Sequence, residues 1–149
     1  MFYFAYGSNM STARLRSRVP GAHPRGRAQL AEFSLIWNKP GRDGSGKANL
    51  APETGGCVWG VVFELPAGGL ERLDPHEPGY RRELWRVTLD TGSELECATY
   101  RYPGGVAGLL PRDDYVAHMV SGAREHGLPA AYVEALARVP VLPEDGGPG

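Results

Sequence analysis

The first nine residues constrain the fold most strongly, because they join a short apolar run to an abrupt polar break. The run from Met1 to Tyr6 ends at Gly7, and Ser8 and Asn9 follow it. An aromatic and apolar run of this length is typical of a buried strand. Glycine allows a turn that other residues resist, and serine and asparagine suit the N-cap of a helix. The sequence therefore predicts a strand, a turn and a helix start.

This junction also suits an anion. We expect the backbone N–H groups of residues 7–11 to face outward where the strand ends and the helix starts. Such groups favour a carboxylate or a developing oxyanion. Most strand-turn-helix junctions bind nothing, so a plain helix cap is the alternative interpretation.

Size and charge narrow the functional classes. The 149 residues predict one domain with a substantial core, and 42% apolar with 22% charged residues is typical of soluble globular proteins. A net charge of −1 gives no electrostatic case for nucleic acid or an anionic membrane as a partner. The early arginines at positions 14, 16, 18, 25 and 27 are interpreted as a solvated face, of which one member could help to bind an acidic ligand.

Targeting and metal signals are weak. Met1 leads directly into the predicted strand without a secretory pattern, and no apolar run approaches the ~20 residues that span a bilayer. We therefore expect a cytoplasmic protein. Cys57 and Cys97 lie in apolar segments and are predicted to be buried thiols rather than a disulfide or metal pair. The four histidines show no zinc spacing, so no metal site is expected.

The order of predicted elements indicates an α+β fold with a largely antiparallel sheet. Strands are predicted near residues 28–37, 48–51, 57–65, 80–90 and 94–102, with helices near 11–18, 68–74, 113–126 and 129–139, and a loop over 38–46. Residues 1–142 are assigned to the single domain. Residues 143–149 are acidic and rich in Gly and Pro, which predicts a disordered tail.

One apparent nucleotide motif is rejected. Gly41-Arg-Asp-Gly-Ser-Gly-Lys47 fits the first seven positions of a phosphate-binding loop, but Ala48 stands where Ser or Thr should hold magnesium. The following residues are strand-like and are interrupted by Pro52, whereas the motif should open a helix. A flexible loop explains the glycines better. Ser8 is likewise rejected as a hydrolase nucleophile, because no GxSxG elbow surrounds it.

Glu77 is the most interesting carboxylate in the chain. It lies between Pro75-His76 and Pro78-Gly79, and the prolines restrict the backbone around it. An aimed side chain is one interpretation. A glutamate in a proline-rich turn is more often a solvated surface charge, and residue chemistry alone favours that alternative.

Motifs along the chain resemble those of the γ-glutamylcyclotransferase family, the AIG2-like and BtrG-like group. The resemblance covers about residues 2–138 and rests on segments that occur in the family's order. They are Phe4-Ala-Tyr-Gly-Ser-Asn-Met10, Lys47-Ala-Asn-Leu-Ala51, Val58-Trp-Gly-Val-Val62, Leu73-Asp-Pro-His-Glu-Pro-Gly-Tyr80, Pro111-Arg-Asp-Asp-Tyr115 and Ala123-Arg-Glu-His-Gly-Leu-Pro-Ala-Ala-Tyr132. Two departures bear on substrate choice: Pro-His precedes Glu77 where relatives often carry more acid, and the loop over 103–109 is short and rich in glycine.

The resemblance implies a mostly antiparallel or mixed sheet curled into a small barrel and packed with helices. It also implies a cofactor-independent reaction in which the α-amine of a γ-glutamyl amino acid or amine attacks its own γ-carbonyl and releases 5-oxoproline. Glu77 matches the family's catalytic acid/base. Tyr6, Gly7, Ser8 and Asn9 are expected to hold the γ-glutamyl group, and Tyr80 and Tyr115 to donate hydrogen bonds or shape the pocket, although each tyrosine could equally be half-buried core.

Three other interpretations stay open at this point. The chain could be a non-catalytic protein that binds γ-glutamyl ligands, or an enzyme that removes a γ-glutamyl cap in a biosynthetic pathway. A structural module is a third and weaker alternative. A small-molecule γ-glutamyl compound is the expected partner. A homodimer is possible because dimers occur in the family, but no feature of this sequence demands one.

Overall fold

A closed five-stranded barrel forms the centre of the protein in a computed structural model that describes residues 1–143. The strands are β1 (Phe2–Ala5), β2 (His23–Pro40), β3 (Gly46–Glu64), β4 (Arg81–Leu89) and β5 (Glu94–Arg101). The helices are α1 (Thr12–Arg18), α2 (Gly69–Leu73), α3 (Asp113–Glu125) and α4 (Ala130–Ala137), with short 3-10 helices at Ser8–Met10 and Asp74–His76. The strands are hydrogen-bonded in the order β1-β3-β2-β4-β5.

Strand β1 closes the barrel. It pairs antiparallel with β3, where Phe2 lies opposite Glu64, and parallel with β5, where Tyr3 lies opposite Ala98. Phe4 is 1% exposed, because β1 lies in the barrel wall between β3 and β5. The apolar N-terminal run is thus the buried strand that its composition predicts. The predicted α+β fold with a mixed sheet curled into a small barrel is confirmed.

The β2–β3 hairpin is longer than the sequence predicts. The segments expected as separate strands at 48–51 and 57–65 are one strand, and the loop expected over 38–46 shrinks to a turn at 41–45. The register explains the difference: Phe33 lies opposite Pro52, but Ala31 lies opposite Cys57, so residues 53–56 bulge out of an otherwise continuous ladder. Such a bulge accommodates the Pro and Gly residues that the sequence analysis interpreted as a break.

The remaining element bounds agree with the prediction to within about two residues, as is usual for element ends. The prediction for Cys57 is wrong, because its side chain is exposed, with Sγ 3.0 Å from Oε1 of Gln29. Side chains alternate along a strand, and here the neighbouring Val58 points inward. Cys97 is buried as predicted, and both thiols are free.

Helices cover one end of the barrel. Helix α3 packs against the 3-10 turn Ser8–Met10 so closely that a Cβ at Gly122 would lie 2.5 Å from the carbonyl carbon of Met10. Glycine at this position therefore lets the helix and the turn touch. No helix among residues 1–143 is long and apolar enough to cross a membrane. Of the segment predicted as a disordered tail, residues 144–149 lie outside the described part of the chain.

Candidate active site

A cavity of about 380 Å³ opens where β1 ends, between α1, α3 and the tip of the β2–β3 hairpin. Its volume is within the range of small-molecule sites. The structure brings all seven residues singled out by the sequence to its wall: Tyr6, Gly7, Ser8, Asn9, Glu77, Tyr80 and Tyr115. These residues come from three distant parts of the chain, so only the fold unites them.

Glu77 is the buried carboxylate of this cavity. Its side chain is 15% exposed, which excludes the solvated surface charge that a proline-rich turn favours. Burial raises the pKa of Glu77 to about 7, while the nearby charge of Arg18 and a hydrogen bond from Asn9 lower it in part. A carboxyl group with a pKa near neutrality gives up and takes back a proton with equal ease.

Asn9 connects Glu77 to two other polar side chains. Its amide Nδ2 donates to Oε1 of Glu77 at 2.9 Å and to the hydroxyl of Tyr3 at 3.1 Å. Its Oδ1 accepts from a guanidinium nitrogen of Arg18 at 3.1 Å, and that nitrogen lies 3.8 Å from Oε1 of Glu77. The amide therefore holds Arg18 beside the carboxylate without a short direct hydrogen bond between the two charges.

The turn from Gly7 to Asn9 lines the cavity and contains backbone donors that other carbonyls of the described chain do not use. Met10 and Ser11 donate to the carbonyls of Gly7 and Ser8, but among residues 1–143 the N–H groups of Gly7, Ser8 and Asn9 make no corresponding bond to a backbone carbonyl. Gly7 has φ of −110°, so its turn does not need a left-handed conformation. A Cβ there would lie in ordinary van der Waals contact with the hydroxyl of Tyr115, at 3.4 Å.

Two contacts fix the segments that carry Asn9 and Glu77. Helix α1 begins where the N–H of Thr12 donates to Oε1 of Glu125 at 3.1 Å, which ties it to α3. The 3-10 turn before Glu77 is tied to the barrel by Tyr100, whose hydroxyl donates to Oδ1 of Asp74 at 2.6 Å. Both anchors come from other elements, so the geometry of the site depends on the whole fold.

Tyr80 and Tyr115 both bond to the backbone of Ala48 but use their hydroxyl groups differently. Tyr80 donates its proton to the carbonyl of Ala48 at 2.7 Å. Tyr115 accepts from the N–H of Ala48 at 3.2 Å, so its own proton is not used in this bond. Burial raises the pKa of Tyr115 to about 12, so this hydroxyl keeps its proton at neutral pH.

Sequence reasoning missed several side chains that line the cavity. Lys39 lies in the segment 38–46 that was predicted to be a loop, and Lys47 begins a segment that was quoted only for its resemblance to the family. Tyr3 belongs to the strand that was interpreted as core. Of the early arginines, Arg14 and Arg18 face the cavity. Their spacing of four residues places them on one helix face, and that signal could have separated them from Arg16.

Within residues 1–143, no group of three or more His, Cys, Asp or Glu side chains is placed to hold a metal ion. The chemistry available to the cavity is proton transfer at a buried carboxyl group, beside backbone and hydroxyl donors. The fold and the site together define a small closed barrel with a polar cavity beside a strand-to-helix turn.

Comparisons with known proteins identify the family of the chain. The model of the AIG2-like family matches residues 57–136. The γ-glutamylcyclotransferases of Bos taurus and Homo sapiens are each 33% identical over 144 residues, which covers 90% of this chain and 76% of each relative. A solved structure named γ-glutamyl cyclotransferase superposes with a TM-score of 0.91 at 29% identity, over 98% of this chain and 91% of the other.

The chain belongs to the AIG2-like family, in which its curated relatives are γ-glutamylcyclotransferases. It is therefore an enzyme of the γ-glutamylcyclotransferase type, and the resemblance noted in the sequence is confirmed.

Proposed function

We propose that this enzyme converts a γ-glutamyl amide to 5-oxoproline and a free amine, with Glu77 as its acid/base. The observation that carries the proposal is the buried carboxyl group of Glu77, which faces a cavity that also receives the turn of residues 7–9. The names of the relatives supply the reaction type.

The reaction moves protons and one acyl group within the substrate. The α-amine nitrogen attacks the γ-carbonyl carbon, the new C–N bond closes a five-membered ring, and the old amide C–N bond breaks. Two protons leave the substrate's α-ammonium group and two arrive on the departing amine. Glu77 transfers them one at a time, because a pKa of about 7 allows both protonation states near neutral pH.

The tetrahedral intermediate carries a negative oxygen. In this proposal the N–H groups of Gly7, Ser8 and Asn9 and the hydroxyl of Tyr115 bind the charged oxygens of the substrate. Arg14, whose Nε donates to Oγ of Ser8 at 3.1 Å, lies beside that turn and receives the α-carboxylate of the glutamyl group. The cavity thus folds the substrate so that its two reacting ends meet.

The test is release of 5-oxoproline from a panel of γ-glutamyl amino acids and amines. Glu77→Gln should lower kcat by about 10²- to 10⁴-fold, the usual contribution of a general acid/base, while substrate still binds. Glu71→Gln is the matched control, because its carboxylate is 62% exposed on α2. Full activity in Glu77→Gln would overturn the assignment, and a folded wild type that releases no 5-oxoproline from any substrate would overturn the reaction.

A further inference from the structure

Lysine is used at only two positions in this chain. Of the sixteen Lys and Arg residues, only Lys39 and Lys47 are lysines. The two are directly opposite each other in the β2–β3 ladder. Like charges at opposed positions of an antiparallel pair repel each other and destabilise the sheet.

Both lysines also line the cavity. The ammonium group of Lys39 lies 5.4 Å from the ring centre of Tyr80, and that of Lys47 lies 4.4 Å from the ring centre of Tyr115. These are the tyrosines that bond to the backbone of Ala48. Aromatic faces attract an ammonium group without neutralising it. The two ammonium groups therefore lie against tyrosines on the cavity wall that Glu77 also lines.

Neither lysine forms a direct ion pair within residues 1–143, although Glu77 acts electrostatically on Lys39 and Asp43 interacts with Lys47. Among the residues that the structure describes, neither lysine lies within ion-pair distance of an Asp or Glu. Burial is the main cause that lowers the pKa of Lys39, and the charges of Lys47 and Arg42 lower it further, while Glu77 opposes them. An anion between the two lysines would relieve this repulsion.

The hairpin tip holds the two lysines in a fixed position. Gly41 donates to the carbonyl of Ser45 at 2.8 Å, and Gly46 donates to the carbonyl of Leu110 at 2.8 Å. Asp43 is turned toward the hairpin, because its Oδ1 accepts from the N–H and the hydroxyl of Ser45. The glycine-rich segment that resembled a nucleotide loop thus builds a rigid turn that carries a lysine on each side.

We propose that Lys39 and Lys47 bind the leaving half of the substrate, and that this half carries two negative charges. The inference rests on the proposed function, in which Arg14 receives the glutamyl α-carboxylate and Arg18 stays beside Glu77. Lys39, Arg42 and Lys47 are then left on the cavity wall, and the carboxylate of Asp43 on the same wall offsets one of these three positive charges. An acidic amino acid and a phosphorylated amine both have the required negative charge, and lysine binds either as a point charge.

The test compares kcat/KM for two pairs of substrates of similar shape. γ-Glutamylglutamate and γ-glutamylglutamine differ by one carboxylate, and γ-glutamylphosphoethanolamine and γ-glutamylethanolamine differ by one phosphate. We expect the charged member of at least one pair to be preferred by roughly tenfold or more, and the pair that shows it identifies carboxylate or phosphate as the ligand. Equal kcat/KM within both pairs of the wild type would overturn the proposal.

Variants assign the preference to the lysines. Lys39→Gln and Lys47→Gln should each reduce the preference for the charged substrate to less than about threefold. The kcat/KM of the charged substrate should fall, and that of the uncharged substrate should not change. Arg138→Gln, which removes one exposed positive charge at the end of α4, should keep it unchanged. The melting temperatures of the lysine variants should not fall, because the substitution removes a repulsive pair.

Binding separates a failure of this inference from a failure of the proposed function. If no panel member releases 5-oxoproline, calorimetry with glutamate and phosphoethanolamine still tests the subsite. Binding that weakens at least about tenfold in Lys39→Gln and Lys47→Gln supports an anion subsite. Absence of binding to the folded wild type, or equal binding to the variants, would contradict it.

Discussion

The side-chain amide of Asn9 donates to Oε1 of Glu77 at 2.9 Å, and it does so while its oxygen accepts from Arg18. A carboxylate that formed a short ion pair with Arg18 would stay ionised at neutral pH. With the amide between them, burial raises the pKa of Glu77 to about 7. Burial therefore outweighs the opposing effects of Arg18 and of the hydrogen bond from Asn9 on this pKa, which leaves Glu77 able to exchange protons.

The first prediction concerns the pH dependence of catalysis. Glu77 must be ionised to accept a proton from the substrate, so kcat/KM should rise with pH through about 7. Arg18→Gln removes a charge that lowers the pKa of Glu77, so the rise should move to higher pH. A pH–rate profile of wild type and variant checks this, and Arg16→Gln on the outer face of α1 should leave the midpoint in place.

The second prediction concerns stability. The pKa of Glu77 rises from 4.5 to about 7 on folding, so the folded protein prefers the protonated form. The cost of burying the ionised form is absent below about pH 4.5, grows as pH rises, and is complete above about pH 7. Glu77→Gln should therefore stabilise the protein by about 3 kcal/mol at pH 8 and by little at pH 4.5. Urea unfolding at both values checks the sign; a variant less stable than wild type at pH 8 would contradict it.

The third prediction separates the two tyrosines. Tyr115→Phe and Tyr80→Phe each remove one hydrogen bond to Ala48, and each should cost about 1 kcal/mol of stability. Only Tyr115 keeps a proton to donate, so Tyr115→Phe should lower kcat at least about tenfold more than Tyr80→Phe. Steady-state kinetics beside thermal unfolding measures both effects. Equal loss of kcat would mean that the two rings only shape the cavity.

The fourth prediction concerns the packing of β1. A Cβ at Gly60 would clash with the carbonyl oxygen of Ala5 and lie 2.7 Å from Cζ of Phe4. The strand that leads to the candidate site would have to move. Gly60→Ala should therefore cost about 3 kcal/mol by urea unfolding, whereas Glu134→Ala on the exposed face of α4 should stay within about 0.5 kcal/mol.

Local sequence patterns predict much of this fold because they act over short distances. The apolar run of β1 reports burial directly, and Ser11 caps α1 as its residue type suggests, by accepting from the N–H of Arg14. The bulge at residues 53–56 was missed, since it depends on the pairing of Pro52 with Phe33 across the sheet. No local sequence pattern determines the register between the two strands.

The residues of the candidate site were likewise predicted only in part from the sequence. The sequence singles out Glu77 and the turn of residues 7–9 through motif resemblance, and the fold places them together. Lys39 and Lys47 were not predicted as site residues, because only the register of the hairpin shows that they lie opposite each other. Within residues 1–143, the tertiary arrangement places no carboxylate within ion-pair distance of either lysine, whereas Arg25 forms an ion pair with Glu64.

The pairing of Tyr3 with Ala98 closes the barrel, and it also determines when the fold can be completed during translation. A growing chain contains Asn9, Arg18 and Glu77 long before β5 and Tyr115 have been translated. Until then β1 lacks its parallel neighbour, and the cavity lacks a wall. Binding competence should consequently arise late and in one step, so a ribosome-bound chain that stops at residue 93 would display the signature motifs and still be unable to retain ligand.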